Sequence, residues 1–235
     1  MKSNKSRKGY MTAAEFGAEL ERDPEWVAMM DRKEEERRRL SEASARNAAP
    51  VLADLAAAGF PVESVADLFN LKINYKRAIP VLLSWLPKVS DPAVKEDIIR
   101  AVSVEWARPA AARLLIREFD KPENATDASL LWAIGNALAV VADDSVFNEI
   151  VRLITDRRLG KAREMLALAL GNMKDPRASQ ILVDLLQDEE VAGHAVMALG
   201  NVKAKHARPA VERLLTHPKE WVRKEARKAL ARMES

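Results

Sequence analysis

This chain of 235 residues contains no cysteine. Disulfide frameworks, zinc ribbons and thiol nucleophiles are thereby excluded together. Only three histidines are present, His194, His206 and His217. None stands three or four residues from another, so no helical metal pair forms. Glycine is scarce, with 8 residues. Neither a phosphate-cradling loop nor a dinucleotide fingerprint can be assembled from such scattered positions. Aromatic residues make up 5%. No apolar run approaches the length of a membrane span. The basic opening Met1-Lys2-Ser3-Asn4-Lys5 is followed by Thr12-Ala13-Ala14-Glu15-Phe16 and not by an apolar stretch, which argues against secretion and for the cytoplasm.

What is abundant is alanine and leucine, both of which enter a helix at little cost. Residues 1–11 are polar, basic and without period, and predict a disordered tail. Thr12 and Glu15 have the spacing of a capping box, and Asp23-Pro24 that of an N-cap followed by Pro at the first helical position. Asp31–Arg39 is almost all charge, with Glu34 facing Arg38 and Glu35 facing Arg39, and reads as a solvated helix surface. Two further short helices are expected over 48–58 and 62–69, split by Gly59-Phe60-Pro61.

From residue 70 the chain repeats itself. One series of helices, termed A, carries Ala101-Val102, Ala133-Ile134, Ala169-Leu170, Ala198-Leu199 and Ala229-Leu230, at spacings of 32, 36, 29 and 31. A second series, B, carries Trp85-Leu86, Leu114-Leu115, Leu153-Ile154, Leu185-Leu186 and Leu214-Leu215, at spacings of 29, 39, 32 and 29. The two interleave. Pro80, Pro109 and Pro209 each stand five residues before a B pair, where a proline near a helix start loses no hydrogen bond. Gly171-Asn172 and Gly200-Asn201 read as helix stops. After Gly135-Asn136 the apolar run Ala137-Leu138-Ala139 carries the helix on.

The units Asp91-Pro92-Ala93-Val94-Lys95…Ala101-Val102 and Lys219-Glu220-Trp221-Val222-Arg223-Lys224-Glu225-Ala226…Ala229-Leu230 resemble HEAT repeats of the short bacterial, phycobilisome-lyase-like kind. Arg208-Pro209-Ala210-Val211-Glu212-Arg213-Leu214-Leu215 is similar to that family's other helix. The resemblance covers residues 70–235. It implies an all-α, right-handed α-solenoid of about five HEAT-type helical pairs, with residues 12–69 as an N-terminal helical cap. The third unit departs from the pattern through longer linkers, around Asp143-Asp144 and Asp156–Gly160.

No catalytic constellation emerges. The carboxylate groups Asp143-Asp144 and Asp188-Glu189-Glu190 sit where helix starts attract acids. His217 before Pro218 suits a helix cap. Trp85 and Trp132 read as core, whereas Trp106 and Trp221 lie at helix ends and are candidate partner contacts. The resemblance implies that B helices line the concave face. On or beside them stand Arg108, Arg113, Arg152, Arg208 and Arg213, a candidate binding stripe; a salt bridge such as Arg213 with Asp184 is the bland alternative. Residues 203–235 hold ten Lys/Arg against four Glu, a basic end on a chain of net charge +3. The expectation is a monomeric, non-catalytic scaffold without cofactor or metal, presenting a concave helical surface to a protein or peptide and not to a membrane. Nucleic-acid binding through the basic stripe is the first alternative, and a chromophore-lyase-like or chaperone role the second.

Overall fold

The computed structural model describes residues 11–234; the expected tail falls almost wholly on residues 1–10, outside them. Among the described residues there are helices and turns and no strand. The chain divides into two compact units between Arg46 and Asn47.

In the first unit, α1 (Ala13–Leu20) opens on the expected capping box, with Thr12 and Glu15 bonded reciprocally. Asp23 accepts from the Glu25 N–H at 2.9 Å and so caps α2. That helix runs unbroken from Pro24 to Ala57, where a separate helix over 48–58 was expected. Nothing between Leu40 and Ala48 interrupts a helix, because the segment is rich in Ala and lacks Gly and Pro. Pro50 lies inside α2 and costs it one N–H bond, to the Arg46 carbonyl. The ion pairs on its surface are Glu34–Arg37 and Glu35–Arg38, three residues apart and not four. No residue of 11–46 is buried.

The second unit starts within the same helix, where Val51 and Leu55 are fully buried. Of the helix expected over 62–69 only α3 (Asp67–Asn70) forms. Pro61 precedes it, and Asp67 turns its carboxylate back onto the N–H groups of Glu63 and Ser64, making a capped turn in place of helix. Five helical pairs follow: α4 (Ile79–Trp85) with α5 (Pro92–Val102), α6 (Ala110–Phe119) with α7 (Ala128–Val141), α8 (Phe147–Thr155) with α9 (Glu164–Gly171), α10 (Arg177–Asp184) with α11 (Ala192–Asn201), and α12 (Arg208–Glu212) with α13 (Glu220–Glu234). The even-numbered members are the B helices and the odd-numbered the A helices. Each B helix packs on the A helix of its own pair, and A helices pack on one another in sequence, α5 on α7, α7 on α9, α9 on α11 and α11 on α13. The chain is an α-solenoid from residue 79 onward.

The two layers differ in what they bury. Between A and B helices lie large aliphatics, among them Leu82, Ile98, Leu115, Leu138, Ile150 and Leu153, all fully buried. Each contributes about 1.5–3 kcal/mol. Between successive A helices lie glycine and alanine. A Cβ built on Gly171 would stand 2.7 Å from the Ala198 Cβ, and one on Gly200 would stand 2.8 Å from both the Cα and Cβ of Ala229. Neither glycine has positive φ. Their helices do end beside them, but the residue is small because the next helix passes there, not because a left-handed stop is needed. B helices have no comparable contact with each other.

The irregular third unit is closed by a buried ion pair. Gly160 takes φ +50, a left-handed conformation that glycine adopts freely. The turn it makes brings Arg163, 1% exposed, into the core. Its guanidinium donates to the carbonyls of Gly160 and Ile154 at 3.1 and 3.0 Å and to both oxygens of Asp188 at 2.8 and 3.2 Å. Hydrogen bonding from Arg163 holds the Asp188 carboxyl below its ordinary value.

Two substitutions test this packing. Gly200→Ala is expected to lower unfolding stability by about 1–3 kcal/mol despite alanine's better helix propensity. Adding Ala229→Gly should recover part of that loss in a double-mutant cycle read by urea denaturation. Arg163→Met removes the buried partner of Asp188, leaving it only the exposed Arg157 at 3.6 Å, and is expected to cost about 3 kcal/mol in the same assay.

Candidate functional site

The five candidate arginines do not form a free stripe. Arg108 donates through Nε and Nη2 to the Val140 carbonyl at the end of α7. Arg113 reaches the Ser145 carbonyl at 3.2 Å. Arg152 grips Asp120 with two bonds of 3.2 and 2.5 Å. Arg208 pairs with Glu212 and Glu234, both at 2.9 Å. Arg213 is exposed and its guanidinium makes no hydrogen bond or ion pair among the described residues; Asp184, its expected partner, accepts from Gln180 instead.

The spacing of these bonds explains them. Arg108, Arg113 and Arg152 each bond a residue 32 positions away, one repeat along the chain. Asn172 to the Ala139 carbonyl spans 33, and Lys219 to the Glu189 carbonyl spans 30. A polar residue recurring at the repeat period thus ties its repeat to the neighbour. The carboxylate groups do the same local work: Asp144 accepts from the N–H groups of Lys174 and Asp175, and Asp188 from that of Glu190. His217 Nδ1 accepts from the Lys219 N–H at 3.1 Å, the capping role its place before Pro218 suggests.

The tryptophans are distributed differently from expectation. Trp85 is half-buried, with its indole N–H on Asp54 at 2.8 Å. Trp132, read as core, is 53% exposed, more than Trp106 at 45% and Trp221 at 41%. Residue 132 directly precedes the buried Ala133, but one step along a helix turns the side chain by about 100°, out of the interface. Trp106 lies in the turn after α5, edge-on to Tyr75 with ring centres 5.8 Å apart. Trp221 lies across Gly193, where an added Cβ would meet its ring at 1.9 Å. Its other neighbour is His194, edge-on at 5.5 Å.

Trp132 and Trp221 share the A layer. Counted from the alanine that marks each A helix, the same outward position holds Arg100, Trp132, Leu168, Met197 and Lys228. One turn earlier stand Asp97, Ser129, Met165, His194 and Glu225. Along α7, α9 and α11 these side chains, Ser129 apart, are apolar or aromatic, and all are exposed or half-buried. Met165 sits against Gly135, its Cβ 3.1 Å from where a glycine Cβ would be. Between α7 and the turn before α9 a groove of about 490 Å³ opens, lined by Trp132, Leu131, Leu159, Ala162, Lys161 and Glu164 among others. The Glu164 carboxylate has no hydrogen bond or ion pair among the described residues. Two polar atoms nearby are buried without a partner, His194 Nδ1 and Glu190 Oε2.

Comparison with known proteins agrees with this architecture. Residues 187–235 match the family model for HEAT repeats, and residues 162–188 that for the PBS lyase HEAT-like repeat. The last third of the chain is thus similar to HEAT repeats. No curated protein matches it. Among solved structures, a designed armadillo repeat protein, YIII(Dq)4CqI, is similar at 20% identity, covering 66% of this chain and 82% of its own, with a TM-score of 0.45. On this array four of the five candidate arginines are bonded internally, and the A layer carries the exposed Trp132 and Trp221 together with His194. No group of three or more metal-ligating side chains occurs among the described residues, and no described helix is long and apolar enough to cross a membrane.

Burial pushes the His194 imidazole below its ordinary 6.5, with Glu164 and Glu225 pulling the other way. The native state therefore favours the neutral ring. Stability from this site is present above pH 6.5 and is lost as pH falls below it, because the unfolded chain takes the proton first. The urea midpoint of the wild type is expected to fall between about pH 7 and pH 5 by more than that of His194→Gln.

Proposed function

We propose that this chain is a non-catalytic scaffold that presents the A layer of its HEAT repeats to a protein or peptide partner. HEAT repeats are in general protein-interaction scaffolds. The observation that carries the reading is the open row Trp132, Leu168 and Met197, bordered by Met165, His194 and Trp221, on helices that hold one another through Gly–Ala contacts. Burying large apolar side chains would stabilise the fold, yet here Trp132 is exposed and Leu168 and Met197 are only half-buried, at one-repeat intervals. Such rows on a rigid support favour binding, because little ordering is left to be done when a partner arrives. Tryptophan and methionine suit the task, the first as a rigid anchor and the second as an adaptable filler.

The alternative of nucleic-acid binding rested on the arginine stripe. Four of its five members are engaged within the protein, which weakens that reading. Capture of partners from native lysate, with and without nuclease, separates the two. A discrete protein is expected to remain after nuclease, to be lost or weakened by tenfold or more with Trp132→Ala, and to be kept with Arg213→Glu. Retention that disappears with nuclease, or that Trp132→Ala leaves intact, would overturn the assignment of the A layer.

A further inference from the structure

The two edges of the repeat array differ. Along one lie the turns that enter the B helices, residues 71–78, 103–109, 142–146, 172–176 and 202–207. Tyr75 packs edge-on to Trp106, Arg108 donates to the Val140 carbonyl beside the next turn, and Asp144 accepts from the N–H groups of Lys174 and Asp175. Residues 202–206 share a cleft with Asp175 and Pro176. These turns therefore form one continuous ridge, as equivalent positions do in a stacked array. The ridge carries Leu71, Ile73, Trp106 and Val202, four of the six exposed large apolar side chains among the described residues of the second unit. The other two, Trp132 and Trp221, belong to the A layer. The same turns hold seven Lys/Arg against four Asp/Glu. Lys72, Lys76, Arg77, Lys174, Lys203 and Lys205 are exposed, and their charged groups make no hydrogen bond or ion pair among the described residues. Of the acids, Asp143 and Asp144 accept from backbone N–H groups and Asp175 grips Arg177 at 2.6 Å, which leaves Glu105. On the opposite edge the turns that leave the B helices, 86–91, 120–127, 156–163, 185–191 and 213–219, hold eight Lys/Arg against eight Asp/Glu and expose none of those six side chains.

We infer that the edge of turns entering the B helices docks on an anionic lipid surface, with Leu71, Ile73, Trp106 and Val202 reaching into the headgroup boundary and the six unpaired cations among the headgroup phosphates and carboxylates. The inference goes beyond the scaffold reading and uses none of its residues. Two features select this occupant. The unpaired charge is one-sided, six cations to one carboxylate, and clustered exposed cations draw a protein to anionic headgroups. The apolar side chains stand among those cations at the surface, where aliphatics can enter the acyl boundary and an indole can rest at headgroup depth. A nucleic acid would use the cations and Trp106, but Leu71, Ile73 and Val202 offer its bases no ring to stack on. The middle turn, 142–146, carries neither a cation nor an exposed apolar side chain, so the contact is made by the two ends of the edge. An acidic peptide at either end would miss the other, whereas a flat surface meets both at once. Docking of this kind needs no apolar span.

Co-sedimentation of the full chain with vesicles tests this, using phosphatidylcholine alone and phosphatidylcholine mixed with phosphatidylserine. The mixed vesicles are expected to bind at least tenfold more tightly. Lys203→Glu/Lys205→Glu should weaken that binding tenfold or more, and Leu71→Ser/Ile73→Ser roughly three- to tenfold. Lys161→Glu/Arg213→Glu makes the same charge change on the opposite edge and should leave affinity unchanged, which separates this edge from the net charge of the chain. Circular dichroism shows that each variant is folded. Equal binding to the two vesicles, binding to neither, or equal effects of the two charge-reversed pairs would overturn the inference. A single-stranded oligonucleotide that binds as tightly as the mixed vesicles, with Leu71→Ser/Ile73→Ser leaving both affinities intact, would assign the edge to nucleic acid instead. None of these outcomes bears on capture of a protein through Trp132, so the scaffold reading stands or falls by its own test.

Discussion

The close approach of one A helix to the next is the contact on which the rest of this structure depends. It is possible only where the facing residues are glycine and alanine, and at Gly171–Ala198 and Gly200–Ala229 there is no room for another methyl group. Helices held that near leave their outward side chains close together as well. Trp132, Met165, Leu168, His194, Met197 and Trp221 therefore form a row and not isolated exposed residues. The same approach leaves the B layer more widely spaced. Large aliphatics between the layers supply the bulk of the burial, but they do not decide which face is dense and which is open.

A second set of contacts, the polar ties, holds repeats in register. Arg108, Arg113, Arg152, Asn172 and Lys219 each reach one repeat along the chain to a carbonyl or a carboxylate. Most of these bonds lie at the surface, where a single one contributes little. Their importance is geometric, because each repeat touches only its neighbours and a slip at one interface would displace everything after it. Arg163 with Asp188 is the buried version, placed where the third unit's linker breaks the regular period. The periodicity that made the arginines look like a ligand stripe is the periodicity of this bracing.

The functional reading follows from what those two systems leave over. Four of the five periodic arginines are bonded internally, while the row of apolar and aromatic side chains on the A layer is left uncovered. Recognition on such a face does not need a deep cavity. It needs several modest contacts fixed at the repeat spacing, so that a partner segment meets them together.

Much of this was legible in the chain itself. The alternation of Ala-aliphatic and apolar-pair helices, the prolines near B-helix starts, the capping box at Thr12 and the cap at His217 are local patterns, and local backbone chemistry obeys them. Trp106 and Trp221, which the sequence places at helix ends, are both exposed, since helix ends seldom bury a whole indole. Other features depend on what a residue meets one repeat away. Trp132 stands beside a core alanine in sequence and outside the core in space. The glycines before Asn172 and Asn201 look like stops and act as clearances. Helix α2 passes through Pro50 because tertiary burial of Val51 and Leu55 outweighs one missing hydrogen bond. By itself the sequence determined the helices, their pairing and their stacking order, because these arise from period and composition. Only the tertiary structure decided which arginines are bonded and which face is open, because both are set by contacts between residues about thirty positions apart that no local pattern records.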